Sequence, residues 1–159
     1  MKKFRLALIF VGRASDNYVR EGCRLYEDRI RVYADLETRT VPEERIPYKG
    51  KRDFILDREG QRIREKITDG AFSVALDEKG KLLNSESFAR SLEVWGAAGS
   101  REIDFLVGGP YGMEERLKSE AGFRLSLSQF TLPHGLARIV VLEQIYRAFT
   151  LLRGVPYHK

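Results

Sequence analysis

Leu106-Val107-Gly108-Gly109-Pro110-Tyr111-Gly112 is an apolar strand running into a glycine turn. Ser126-Leu127-Ser128-Gln129-Phe130-Thr131-Leu132-Pro133-His134 then leads into an apolar helix from Gly135 to about Arg153. Glycines after a strand let backbone come close to a ligand. Pro133 restrains the second loop, and a helix start supplies free N–H groups. Two such loops at the same sheet edge make a site built mostly from main chain. The chain stops at Tyr157-His158-Lys159, directly after the helix.

Working outward, strands and helices alternate. Phe4–Val11 reads as a first strand. Ser15 is positioned to cap a helix whose Val19, Cys23, Tyr26, Ile30 and Tyr33 share one face. Leu36–Val41 reads as a second strand, and Pro42–Asp53 as a basic loop carrying Arg45, Lys49, Lys51 and Arg52. A charged helix over Phe54–Ile67 turns Leu56, Ile63 and Ile67 inward. Phe72–Leu76 reads as a buried strand. Ser85 is placed to cap a helix bearing Phe88, Leu92 and Trp95 and closed by Gly99. Ile103–Val107 has the continuous apolar character expected inside a parallel sheet. A short helix follows Gly112, then a strand near Arg124–Leu127, then the final helix. This alternation predicts an α/β fold, a mostly parallel sheet with helices on both faces, over residues 1–159 as a single domain. Ligands in such sheets bind outside the carboxyl ends of strands, here Leu76-Asp77, Gly108-Gly109 and Leu127-Ser128.

Composition narrows the function classes. At 159 residues and 43% hydrophobic content the chain can bury a full core. No apolar run approaches the ~20 residues of a membrane span, and Arg5 breaks the N-terminal stretch, which reads as a strand rather than a signal peptide. One cysteine and two histidines cannot form a conventional Cys/His metal cluster, so no metal is expected. A lone Cys23, placed by its periodicity in the core, fits a reducing cytoplasm. The net charge of +5 is compatible with an RNA partner without requiring one. Gly108–Gly112 is neither G-x-G-x-x-G nor a P-loop, which disfavours nicotinamide and nucleoside-triphosphate chemistry.

The final helix is apolar nearly all round, so it must be covered on several sides. In a small domain the second cover can be another subunit, and a homodimer through this helix, at Ile145 and Phe149, is the expectation. Arg138 and Arg147 interrupt the apolar surface. Each needs a partner, either an acidic side chain such as Glu143 or a phosphate.

Leu76-Asp77, Leu106–Gly112, Ser126–His134, Glu143-Gln144-Ile145-Tyr146-Arg147-Ala148-Phe149 and the terminal Tyr157-His158-Lys159 together resemble the RlmH family. Its members are SPOUT-class methyltransferases that methylate N3 of a pseudouridine in large-subunit (23S) ribosomal RNA. The resemblance covers essentially the whole chain, and the order and spacing of the motifs carry it. It implies a C-terminal segment threaded into a deep trefoil knot. It implies S-adenosylmethionine held by Leu76, Gly108, Gly109, Gly112 and Leu127, Ser128, Gln129, Phe130, Thr131 and Leu132, mainly through backbone. It also implies a homodimer acting on the ribosome, each active site completed by the partner's tail. In that setting Tyr157 and His158 become the catalytic candidates, His158 as base or proton relay at N3 and Tyr157 as a stacking or hydrogen-bonding group. Candidate RNA contacts are Arg138, Arg147, Lys159, Lys49, Lys51 and Arg52. Two other readings share the fold: a non-catalytic ribosome-binding protein, and a methyltransferase for tRNA.

Overall fold

The structure, a computed structural model, describes residues 3–45 and 51–158. Lys49 and Lys159, two of the candidate RNA contacts, lie outside the described residues. Ten elements follow in chain order: β1 (Phe4–Val11), α1 (Asn17–Ile30), β2 (Ala34–Val41), α2 (Arg52–Arg64), β3 (Phe72–Leu82), α3 (Ser85–Ala98), β4 (Glu102–Val107), α4 (Glu115–Glu120), β5 (Phe123–Ser126) and α5 (His134–Arg153). The strands form one sheet in the order β2-β1-β4-β3-β5, every neighbouring pair parallel.

β1 and β4 are central, and that explains their near-continuous apolar sequences. Successive side chains of a strand point to opposite faces, so a strand covered on both sides needs apolar residues at every position. Phe4, Leu6, Leu8 and Phe10 of β1 join a core with α1, α3 and α5, whereas Ile9 and Val11 join Ile63, Leu106, Met113 and Leu117 under α2 and α4. The edge strand β2 (ADLETRTV) alternates instead and is only partly buried. Cys23 sits in the larger core, where burial, aided by Glu27, pushes its thiol up to about 11. A thiol held neutral in this way is packing, not a nucleophile.

Several expected details are corrected. The residue preceding α1 is Asp16, not Ser15, and it makes no side-chain cap bond. α3 is capped by Asn84, whose side chain accepts from the Ser87 N–H at 2.8 Å, so Ser85 is already helical. α2 begins at Arg52 and ends at Arg64, and it buries Ile55 more deeply than Leu56. β3 does not stop at Leu76. It shifts register against β5 between Leu76 and Lys81, and Lys81 and Leu82 pair again with Leu125 and Ser126. Asp104 lies inside the apolar strand β4. Its carboxylate, almost wholly buried, accepts from the Thr68 N–H at 2.5 Å and the Thr68 hydroxyl at 3.2 Å and so ties down the chain between α2 and β3.

The largest correction concerns α5. It packs against both α1 and α3 and against the sheet. Ile145 and Phe149 are buried inside the protomer, not held out for a partner. Arg138 is buried as well. It donates to the carbonyls of Val11 (2.6 Å) and Gly12 (2.9 Å), and its guanidinium lies 4.6 Å from the centre of the Phe10 ring. Arg138 thereby ties α5 to the chain at and just after the end of β1. It is a structural residue and is withdrawn from the RNA contacts.

Candidate active site

The middle of β3, the carboxyl ends of β4 and β5 and the start of α5 line a cavity of about 700 Å³. Three segments named from the sequence meet there: Leu76-Asp77 with Glu78 and Lys79 inside β3, Val107–Gly112 at and after the end of β4, and Leu125–Ser128 with Phe130 and Leu132 at and after the end of β5. His134, Ala137 and the first turn of α2, including Arg52, also line it. Of the expected cofactor residues, Leu76, Gly108, Gly109, Gly112, Leu127, Ser128, Phe130 and Leu132 line the cavity. Gln129 and Thr131 do not.

The glycine turn is set by its own packing. A Cβ on Gly108 would lie 2.4 Å from the Gly112 carbonyl oxygen, closer than real atoms approach. Gly112 has φ 91, in the region that favours glycine, and its N–H returns to the Gly109 carbonyl at 3.0 Å. Gly108 is therefore required first for the turn to close on itself, and only through that turn for any ligand. Arg52 braces the turn from α2, donating Nε and Nη2 to the Tyr111 carbonyl at 3.3 and 3.1 Å. The loop after β5 is internally bonded: the Ser126 hydroxyl donates to the Ser128 carbonyl, and the Phe130 N–H donates to the Ser128 hydroxyl. That leaves Phe130 83% exposed at the rim, an aromatic ring with no core to join.

One cluster was not foreseen. Arg124 donates Nε and Nη2 to Asp77 Oδ2 at 3.0 and 2.7 Å and reaches Glu115 at 2.8 Å, while Lys118 lies 3.4 Å from Asp77 and 3.0 Å from Glu115. Asp77 and Arg124 are 47 positions apart, and only the pairing of β3 with β5 brings them together. Burial alone would raise the Asp77 carboxyl, but Arg124, the Lys79 N–H and Lys118 outweigh it and hold it below the ordinary range. A depressed folded-state pKa stabilises the fold above the unfolded value, about 3.9, and that contribution is lost as pH falls through the folded one. Asp77→Asn should therefore lower the midpoint of thermal unfolding at pH 6. The gap from wild type should narrow below about pH 4; a gap independent of pH would reject the ion-pair account.

The chain end lies elsewhere. Tyr157 and His158 fold back onto α5 and are not among the residues lining the protomer's cavity. The Tyr157 hydroxyl donates to Glu143 Oε1 at 3.2 Å, and its ring meets Tyr146 edge-on at 4.7 Å. Burial first, then the Glu143 carboxylate and Tyr26, push the phenol up to about 12, so it stays protonated near neutrality. Arg147 donates Nε and Nη2 to Glu143 Oε1 at 2.9 and 2.7 Å, lies 4.6 Å from the centre of the Tyr157 ring, and sets Nη1 3.2 Å from His158 Nδ1. The acidic partner expected for Arg147 is thus present, and the arginine is engaged before any phosphate arrives. Among the described residues no group of three or more His, Cys, Asp or Glu side chains is placed to hold a metal ion, and no helix is long and apolar enough to cross a membrane.

Comparison with known proteins agrees with this architecture. The family described as "Predicted SPOUT methyltransferase" matches residues 4–158. A protein of Syntrophotalea carbinolica named ribosomal RNA large subunit methyltransferase H is 41% identical over 156 residues, covering 97% of this chain and 98% of its own length. Proteins of the same name from Carboxydothermus hydrogenoformans and Clostridium acetobutylicum are 38% and 35% identical, each over 157 residues, covering 97% of this chain and 99% of their own. Strand order, a cavity over the carboxyl ends and a match over nearly every residue lead to one conclusion: the chain belongs to the SPOUT methyltransferase family.

Proposed function

We propose that this protein transfers the methyl group of S-adenosylmethionine to N3 of a pseudouridine in 23S ribosomal RNA, acting on the assembled ribosome in the cytoplasm as a homodimer of one-domain protomers. The observation that carries the reading is the cavity, in a chain similar over nearly its full length to ribosomal RNA large subunit methyltransferases. Its volume of about 700 Å³ suits a ligand of this size. Leu76, Val107, Leu125, Leu127 and Leu132 offer an apolar lining for a purine, the main chain of the two loops suits its polar edge, and Glu78 suits a cation. The bound cofactor supplies a methyl group already activated on a sulfonium, so the protein's work is alignment and proton removal. Exposed Tyr111 and Phe130 at the rim suit stacking on an unpaired base. Arg52 and Lys51, with Lys49, Lys159 and Arg147, remain the proposed RNA contacts. A neutral imide nitrogen is a poor nucleophile until it loses its proton, and the tail, Tyr157 with His158, is assigned to assisting that ionisation.

The homodimer is supported by the position of the tail. If Tyr157 and His158 act in the reaction, they act in a cavity other than their own protomer's, and an exchange between two copies satisfies this with one symmetric contact. The trefoil knot is supported by connectivity. The chain leaves the edge strand β5, yet α5 packs against both α1 and α3, so residues 127–133 must pass the connection from β3 to α3. Passing inside that connection ties the chain.

The test is transfer of radiolabelled methyl to ribosomes, free rRNA and tRNA, with the product mapped and cofactor binding followed by calorimetry. The expected result is methylated 23S rRNA from ribosomes, much less from naked rRNA. Gly108→Val should weaken S-adenosylmethionine binding by roughly tenfold or more, because its Cβ displaces Gly112 and with it the turn. Transfer to tRNA alone would favour the tRNA reading. Binding to ribosomes without transfer would leave a non-catalytic protein.

A further inference from the structure

The helix motif Glu143-Gln144-Ile145-Tyr146-Arg147 has no part in the cavity, yet it contains a connected chain of polar side chains. The Ser85 hydroxyl donates to Gln144 Oε1 at 2.7 Å, and Gln144 Nε2 donates to Glu143 Oε2 at 2.7 Å. The other Glu143 oxygen receives two Arg147 donors and the Tyr157 hydroxyl. Arg147 so held turns its remaining nitrogen, Nη1, to His158 Nδ1 at 3.2 Å. A guanidinium has donors and no acceptor. The contact is a hydrogen bond only if Nδ1 presents its lone pair. In the neutral ring the single proton then sits on Nε2, an assignment made from the Arg147 donor at Nδ1. Glu86 Oε1 lies 3.9 Å from Nε2, too far for a hydrogen bond, so the Nε2 side stays open to a substrate acceptor.

We propose that Glu143 and Arg147 are positioning residues that lock His158 as the Nε2–H tautomer, so that its free nitrogen enters the reaction as a hydrogen-bond donor and not as a base. The inference rests on the proposed methylation at an imide N3. When the N3–H bond breaks, the electron pair stays on nitrogen, the proton passes to water as hydronium, and the negative charge spreads onto the two flanking carbonyl oxygens. Nε2–H donates to one of these oxygens and stabilises the anion, as preorganised donors do at developing oxyanions. Tyr157 donates its single O–H to the same Glu143, which leaves Nε2–H of His158 as the tail's open donor.

Long-range proton–nitrogen correlation of the imidazole rings in the ¹⁵N-labelled full-length protein reads the tautomer without any assay of activity. His134→Gln assigns the signals of the two histidines. We expect neutral His158 to show a protonated Nε2 and a bare Nδ1, and Arg147→Leu, which has no donor, to collapse that pattern into an exchanging mixture while Arg147→Lys, which keeps a donor, preserves part of it. In methyl transfer, His158→Gln, whose amide nitrogen reaches the Nε2 position, should retain roughly tenfold or more activity over His158→Asn, which accepts from Arg147 but offers nothing at that position. A wild-type ring protonated on Nδ1, or His158→Asn as active as His158→Gln, overturns the proposal. A protein that transfers no methyl to any RNA defeats the functional reading instead, while the spectrum still decides the tautomer.

Discussion

Deleting Tyr157–Lys159 will reduce methyl transfer by on the order of 10³-fold, with the unfolding midpoint and the affinity for S-adenosylmethionine close to wild type. The reasoning is spatial. Tyr157 and His158, the described residues of the tail, do not line the cavity of their own protomer, and the side chains they mainly touch, Tyr146, Glu143 and Arg147, lie on a helix already covered by α1, α3 and the sheet. Its removal exposes an ion pair and leaves the core intact. A loss confined to turnover is what removal of groups acting in the transition state produces. Mixing sharpens the test. The tail-deleted protein keeps a sound cavity, and Gly108→Val keeps a sound tail. At S-adenosylmethionine well below the weakened Kd of Gly108→Val, neither should show appreciable activity alone. After subunit exchange half of the dimers are hybrids, each with one complete site of two, so about a quarter of wild-type activity should return. No recovery on mixing would place the tail in its own protomer's site or outside the mechanism.

How much was legible in the sequence depends on how local each determinant is. β1 was readable to the residue because a central parallel strand must be apolar on both faces, and Phe4–Val11 leaves no other reading. Helix starts were misjudged by one residue where candidate caps adjoin, Ser15-Asp16 and Asn84-Ser85, because propensity cannot choose between neighbours of the same kind. The second half of β3 was missed because Asp77-Glu78-Lys79-Gly80 has the composition of a loop. Only β5, pairing again at Lys81 and Leu82, makes it part of a strand. The cavity loops were visible as glycine and proline punctuation at strand ends. What each side chain does there was not visible. The Asp77–Arg124 pair and the Arg138 contact with Val11 span 47 and 127 positions, and nothing in either neighbourhood announces the partner.

α5 shows the same limit at the scale of a whole helix, and it supports the second large expectation. An all-round apolar helix tells that it is covered, not by what. In this fold the cover comes from the same chain. Phe149 is 2% exposed, stacked on Tyr33 at 5.9 Å between ring centres and meeting Phe4 edge-on at 5.6 Å. Truncation there removes a large buried side chain from rigid neighbours that can close the gap only in part. Phe149→Ala should therefore cost about 3–5 kcal/mol of protomer stability, a large share of the roughly 5–15 kcal/mol typical of a folded domain. Ile145→Glu, placing an unpaired charge where no water reaches, should prevent folding at 37 °C. Leu136, on the same helix but 37% exposed, provides the contrast: Leu136→Glu should change unfolding by no more than about 0.5 kcal/mol. Denaturant unfolding of the three variants separates the readings. If α5 were mainly a subunit interface, Phe149→Ala would yield a folded monomer of nearly wild-type stability in the sedimentation cell. A core role instead makes loss of the fold, not loss of the partner, the first consequence of cutting into this helix.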